Sequence, residues 1–399
     1  MKEFRSVSDL AIHGSKPLYD NQLYVGYPNI GDRQYFLECI NNIFDRHWLT
    51  NNGFYLKEFE KELAKYLNVK HVIPVCNATI GLEIAVKALG LTGEVIIPSF
   101  TFIATAHILQ WQGIKPVFCD INRENHTIDP TQIKKLITNS TTGILGVHLW
   151  GNVCNVNEID KIAKEYDLHI LYDAAHAFGC SSGKNMVGNF GDCEVFSFHA
   201  TKIFNSFEGG AITTNNDELA EKIRLMINFG FKGYDNVIEI GLNGKMNEAS
   251  AAMGLTNLKS FEKFLAHSRN NQRLFNKYLS YIKGIKVISQ YSEKNNGHYV
   301  VIEIDEKEFG LKRDELYKIL IQENVFARRY FYPGCHRMEP YRSIYPFADN
   351  NLPVTNEICD KVLVLPNNAK VSEEQICQIS NLIEFCSVNS KNIQVEFQK

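Results

Sequence analysis

The sequence predicts an α/β protein: a large domain built on a mainly parallel sheet with helices on both faces, followed by a smaller α+β domain. Three observations carry this expectation. Between residues 57 and 216, short apolar runs of strand length alternate with segments of helical period, the pattern of strands joined by crossover helices. From residue 285 the alternation gives way to a looser mixture of strands and helices. At 399 residues and 45% apolar content, the chain can bury one large core and a smaller second one.

Residues 1–55 are irregular and rich in Tyr, Asn, Gly and Pro, and read as a strap lying over a larger body. Helical period then begins at 57–67, where Lys and Glu interspersed among apolar residues give an ordinary wet face. Strand 71–76, helix 79–89, strand 95–98, helix 102–112 and strand 116–121 follow. Strand 143–148, helix 156–166 and strands 170–172, 193–198 and 211–214 complete the alternation, and a helix over 217–227 closes it. A glycine-rich loop, Gly241-Leu242-Asn243-Gly244, precedes a long helical pattern over 249–281, expected as two helices or one kinked helix joining the domains. The expected division is a strap (1–55), a large domain (56–260) and a small C-terminal domain (261–399). The small domain carries strands 287–289 and 298–304 and helices 313–323 and 373–385.

Composition excludes several functions. A formal net charge of −3 and a pI near 6.5 give no basic field for nucleic acid. The ten cysteines form no C-x-x-C pair, which fits buried thiols in a reducing cytosol. Cys335-His336 lacks further ligands at zinc spacing, so no metal is expected. No secretory start and no apolar run near 18 residues is present, so the sequence predicts a cytoplasmic protein without a membrane partner.

The chemistry centres on Lys202. It ends Phe196-Ser197-Phe198-His199-Ala200-Thr201-Lys202 after an apolar strand and is followed by Glu208-Gly209-Gly210. An amine on such a turn suits imine formation with a carbonyl compound. Asp173 closes the strand His169-Ile170-Leu171-Tyr172. A carboxylate there keeps a pyridine nitrogen protonated, so the pair points to pyridoxal phosphate. Each residue alone also fits a solvated charge or a helix cap. What separates them from that reading is their common position at the carboxyl ends of strands, where ligands bind in α/β folds.

Cys76-Asn77-Ala78-Thr79-Ile80-Gly81 joins a strand to a helix, and the free N–H groups of that helix start, with the Thr79 hydroxyl, suit a phosphate dianion. An ordinary N-cap has the same residues. Ser197 adds a second phosphate contact if its turn folds back. Phe102, in Pro98-Ser99-Phe100-Thr101-Phe102, is placed to stack on a flat ring or to fill core. His176 lies one helical turn beyond Asp173 and faces the ring flank or serves as a structural histidine.

Together with Thr50-Asn51-Asn52-Gly53, Val147-His148-Leu149-Trp150-Gly151 and Asn243-Gly244-Lys245-Met246, these motifs resemble the DegT/DnrJ/EryC1/StrS sugar aminotransferases over almost the whole chain. The resemblance implies the fold type I of pyridoxal phosphate enzymes, similar to aspartate aminotransferase, with a seven-stranded sheet. It implies that Lys202 and Asp173 are catalytic, that Phe102 stacks, that Ala78, Thr79 and Ser197 hold phosphate, and that His176 lies near the ring oxygen. It further implies a homodimer in which Asn243 reaches the partner's cofactor. Two departures stand out: Ala78 where relatives commonly have Gly, and Lys245 where they have Arg. Some relatives are dehydratases that replace the lysine with His, so its presence here favours transamination.

Within the family, the run from Arg328 through Arg329, Tyr330 and His336 to Tyr341 is similar to enzymes that aminate C4 of dTDP-4-keto-6-deoxy-glucose, with L-glutamate as donor. Lys245, Arg329, Tyr330 and His336 are the expected substrate contacts, a diphosphate and sugar hydroxyls being suited to such groups. C3 amination, UDP- or GDP-ketosugars and dehydration remain the alternatives. A dinucleotide-dependent oxidoreductase is disfavoured because no G-x-G-x-x-G follows the first strand. A non-enzymatic sensor is disfavoured because Lys202 and Asp173 are both retained.

Overall fold

The computed structural model describes residues 2–288 and 294–397. Seven strands form the central sheet: β1 (His71–Val75), β2 (Glu94–Pro98), β3 (Lys115–Cys119), β4 (Thr141–Val147), β5 (His169–Asp173), β6 (Cys193–Ser197) and β7 (Gly210–Thr214). Their spatial order is β1-β7-β6-β5-β4-β2-β3, and β7 alone runs antiparallel to its neighbours. Apart from end residues and the half-buried Val117 and Thr142, the strands are buried, as apolar runs covered on both faces must be. The reversal of β7 has a consequence for the site. Its first residue, Gly210, pairs with Val75 and Ser197, so it lies at the edge where β1, β5 and β6 end.

The crossover helices begin at that edge. Helix α3 (Ala78–Ala88) is capped by Asn77, whose Oδ1 accepts from Ile80 N at 2.9 Å. Helix α4 (Ala104–Trp111) follows β2. The expected strands and helices of the large domain are all present, and the sheet is mainly parallel as anticipated.

Three expectations change. Residues 1–55 are not uniformly irregular, because α1 (Arg33–Arg46) forms there with Asp32 as N-cap. Cys39 and Ile43, four apart, put its buried stripe on the core. Nor does the segment over 249–281 split into two helices: α5 runs uninterrupted from Glu248 to Leu279. Its internal glycine, Gly254, is a packing device, since a Cβ there would come within 2.4 Å of the Phe59 ring on α2 (Phe54–Leu67). Burying one such ring stabilises by about 2–3 kcal/mol, more than the roughly 1 kcal/mol a helical glycine costs.

The third change concerns the first two dozen residues, which pack on the small domain. The buried Glu323 carboxylate accepts from Lys2 Nζ (2.8 Å), Ala11 N (2.7 Å) and Leu18 N (2.6 Å), and Leu23 pairs in parallel with Val325. What behaves as a strap is residues 26–31. Asn29 Nδ2 donates to Ile203 O at 2.8 Å, and a Cβ on Gly26 would touch Thr201, so this stretch crosses the turn that carries Lys202.

The small domain holds a three-stranded antiparallel sheet of Ile285–Val287, Val300–Ile304 and Val362–Leu365, covered by helices that include Arg313–Gln322 and Glu373–Val388. The expected strand at 287–289 begins two residues earlier, and its last position lies outside the described residues. All ten cysteines are free. Among the described residues, no helix is long and apolar enough to cross a membrane.

Candidate active site

A cavity of about 290 Å³ opens at the strand-end edge, lined by Thr79, Phe102, Asp173, His176, Ser197 and Lys202 among others. Six of the residues singled out from sequence therefore meet at one place, although 123 positions separate the first from the last (202 − 79). Ala78 and Tyr330 line it as well.

Each end of the cavity has a distinct chemistry. At one end the first turn of α3 presents Ala78 N and Thr79 N, which no intrahelical carbonyl can satisfy, beside the Thr79 and Ser197 hydroxyls. Gly210 makes this end feasible. A Cβ on it would meet Phe196 O at 2.6 Å and Ala78 N at 2.9 Å, so only glycine lets the helix start sit down on the sheet edge. Such an end suits an anion.

Asp173 stands at the deep end, only 5% exposed. Its Oδ2 accepts from Thr105 Oγ1 at 3.0 Å and its Oδ1 from Ala175 N at 3.0 Å. Burial pushes its pKa up, and the Ala175 and Thr105 bonds and the Lys202 charge oppose that rise. A fixed acceptor of this kind suits a cationic ring nitrogen. Thr105 was not anticipated from sequence; fully buried on the first turn of the helix after β2, it bonds Thr101 Oγ1 (3.1 Å) and Asp173 without lining the cavity itself.

Lys202 reaches in from the turn after β6. Its amine is lowered to about 8, because burial disfavours the ammonium and Asp173 recovers only part of that loss. A lysine so shifted is a nucleophile and a proton carrier near neutral pH. His176 lies against Trp150 (ring centroids 5.6 Å) and Tyr299 (4.4 Å), and burial with the nearby Lys202 keeps it neutral. Phe102, 57% exposed, forms a wall at the mouth. The cavity can thus hold a flat phosphorylated heteroaromatic ring, with an amine beside it.

Other expected contacts fall elsewhere. Arg329 does not face the cavity; its Nη1 donates to Asp314 Oδ1 at 3.0 Å and its guanidinium lies over Tyr317 and Tyr332. That pair satisfies the charge inside the small domain. His336 is buried rather than presented to a ligand. Its Nδ1 lies 2.6 Å from Ser99 Oγ at the end of β2 and its Nε2 2.9 Å from Asn356 Oδ1 within the small domain, so both ring nitrogens are taken. Lys245 donates to Asn228 Oδ1 at 2.8 Å and borders a separate surface depression with Trp48, Phe229 and Tyr234. Asn243, on the same loop, is exposed and does not line this cavity. Tyr299, unmarked in sequence, and Phe331, part of the expected substrate run but given no role there, also line it from the small domain.

Residues 32–384 match the DegT/DnrJ/EryC1/StrS aminotransferase family. A dTDP-4-amino-4,6-dideoxy-D-glucose transaminase of Shigella dysenteriae is 40% identical over 356 residues, covering 89% of this chain and 96% of that protein. The transaminase of the same name from Escherichia coli is 36% identical over 368 residues, 91% and 98% of the two chains. The solved structure of DesI in the presence of its TDP-sugar product superposes with a TM-score of 0.94 at 40% identity, over 99% of this chain and all of that one.

Proposed function

The chain belongs to the DegT/DnrJ/EryC1/StrS aminotransferase family, and from that premise we propose that it uses pyridoxal phosphate to move the amino group of L-glutamate to dTDP-4-keto-6-deoxy-D-glucose, giving dTDP-4-amino-4,6-dideoxy-D-glucose. The observation that carries this reading is the convergence of Lys202 and Asp173 on one cavity whose far end is an unsatisfied helix terminus. The donor set fits the cofactor at both ends. Ala78, Thr79 and Ser197 would hold its phosphate, Asp173 its ring nitrogen, and Phe102 and His176 its faces and flank. When bound, pyridoxal phosphate supplies an electron sink for the carbon that loses its proton.

The protein's own part is proton management and orientation. With its pKa lowered to about 8, the free amine of Lys202 is a substantial fraction neutral at physiological pH, so Nζ takes the proton from the α-carbon of glutamate. In the return half, the same amine delivers a proton to C4 of the sugar. Two donors at its oxygens favour the anionic form of Asp173 against the burial that raises its pKa. Tyr299, Tyr330 and Phe331 of the small domain wall the cavity and limit water, which otherwise competes for the carbonyl groups.

The reading includes a homodimer. Asn243 is exposed on its loop beside a depression bordered by Trp48, 54% exposed, and Tyr234, 97% exposed, and such a patch is supported as a protein contact. The partner copy would receive Asn243 at its own phosphate end.

The test is incubation of the purified protein with L-glutamate and a panel of dTDP-, UDP- and GDP-linked ketosugars, with products identified by mass and NMR. Amination at C4 of the dTDP sugar is expected. Reaction only with a C3 ketosugar, or only with another nucleotide, overturns the substrate assignment; loss of water from the sugar without consumption of glutamate overturns transamination itself.

A further inference from the structure

We propose that the Tyr299 hydroxyl positions the free amine of Lys202 for proton transfer, so that a residue of the small domain completes the machinery of the large one. The inference rests on the aminotransferase reading above and adds a residue to it. Lys202 Nζ donates to Tyr299 Oη at 3.4 Å, and among the described residues no other side chain is hydrogen-bonded to that nitrogen. Asp173 acts on the amine through charge without a direct bond.

Tyr299 is held in place from both domains. Its ring lies 4.4 Å from His176 and 5.3 Å from Trp150, centroid to centroid, and its carbonyl accepts from Gln272 Nε2 at 3.3 Å. Three residues earlier, Asn296 Nδ2 donates to His176 O (2.9 Å) and Phe178 O (3.1 Å) on the loop after Asp173. Asn367 Nδ2 donates to Gly297 O at 2.6 Å from the small-domain side. A tyrosine fixed at so many points delivers its hydroxyl to one place.

A lysine amine sits on a four-carbon stem with many rotamers, and a fixed acceptor at its tip selects among them. When one N–H is given to Tyr299, the nitrogen lone pair is left free to face the cavity. The ionisable groups that share charge interactions with the amine are Asp173, His176 and His298, and His199, Glu208 and Tyr330 line the same cavity. The imidazoles of His176 and His298 are held neutral by burial and by Lys202 itself, His298 down to about 3. Burial keeps the Tyr299 phenol in its protonated form as well. Its oxygen therefore accepts, and it accepts more strongly from an ammonium than from an amine.

The test uses Tyr299→Phe, which keeps the ring and its contacts with His176 and Trp150. In the full-chain protein stripped of cofactor, Lys202 is acetylated competitively across a pH series and the labelled peptide measured by mass. The midpoint of labelling is expected to fall by about half a pH unit, the difference between an acceptor for a charged and for a neutral donor. With cofactor, glutamate and ketosugar, kcat is expected to fall about tenfold while KM stays within about threefold. An unchanged midpoint, or a kcat equal to wild type, overturns the role. Should wild type aminate no ketosugar, the functional reading fails while the labelling midpoint still decides the Tyr299 contact.

Discussion

Replacing Gly210 with alanine separates the contribution of the sheet edge to the site from that of any side chain that touches a ligand. The added Cβ meets Phe196 O at 2.6 Å and Ala78 N at 2.9 Å, both backbone atoms that cannot rotate away. To restore ordinary contact of about 3.4 Å, the start of α3 must withdraw by about half an ångström and the β6–β7 pairing must open as well. Overpacking of this kind costs about 1–3 kcal/mol. Withdrawal also misaims Ala78 N and Thr79 N, and the loss of one good bond to an anion is worth about 1.5–3 kcal/mol, or roughly 10- to 100-fold in cofactor affinity. Gly209 supplies the contrast. A Cβ there would meet Ser206 Oγ and the terminal methyl of Met246, ends of side chains that can swing aside, so Gly209→Ala is expected to weaken binding far less. The assay is titration of cofactor-free protein with pyridoxal phosphate, followed by absorbance, together with thermal melting of each variant. Wild-type affinity and melting temperature in Gly210→Ala, or a larger loss in Gly209→Ala, would refute the reasoning.

Lys202 links the site to stability. Its amine loses its proton near 8 in the folded protein and near 10.5 when unfolded, so between those pH values the unfolded chain binds more protons and stability rises with pH. Below that window the cofactor-free Lys202→Met variant is expected to melt above wild type, by an amount on the order of a few kcal/mol at most, and the gap should narrow above pH 8 and close once pH exceeds 10.5; its turnover should be at background. A constant gap across the range would contradict the lowered amine. Thr105→Val removes a donor that favours the ionised form of Asp173, so the acidic limb of the kcat profile is expected to move to higher pH, by up to about one unit; an unmoved limb would count against this bond. Arg329→Ala strips Asp314 of a partner and is expected to lower the melting temperature while leaving KM for the nucleotide sugar within about twofold, whereas a tenfold rise in KM would restore Arg329 to the substrate site.

The expectations that survived and those that changed divide along sequence distance. Lys202, Asp173 and Thr79 each follow a strand, and the order strand, turn, helix is local, so a parallel sheet brings them to one edge whatever the loops do. Gly210 joins them through one antiparallel strand, which the doublet Gly209-Gly210 hinted at without showing what the missing Cβ would strike. Tyr299 is 97 residues from Lys202 and belongs to a different domain, so no period in the sequence records their contact. Arg329 and His336 are the converse case. A segment dense in cations and aromatics suits a diphosphate, yet Asp314 and Asn356, close in the fold, had already taken those groups. Charge density alone does not distinguish a side chain offered to a ligand from one already spent on its neighbours. The same accounting explains why Lys202 does stand out in the structure: its amine is walled in without a carboxylate bonded to it, an arrangement that costs stability unless something else in the cavity makes use of it.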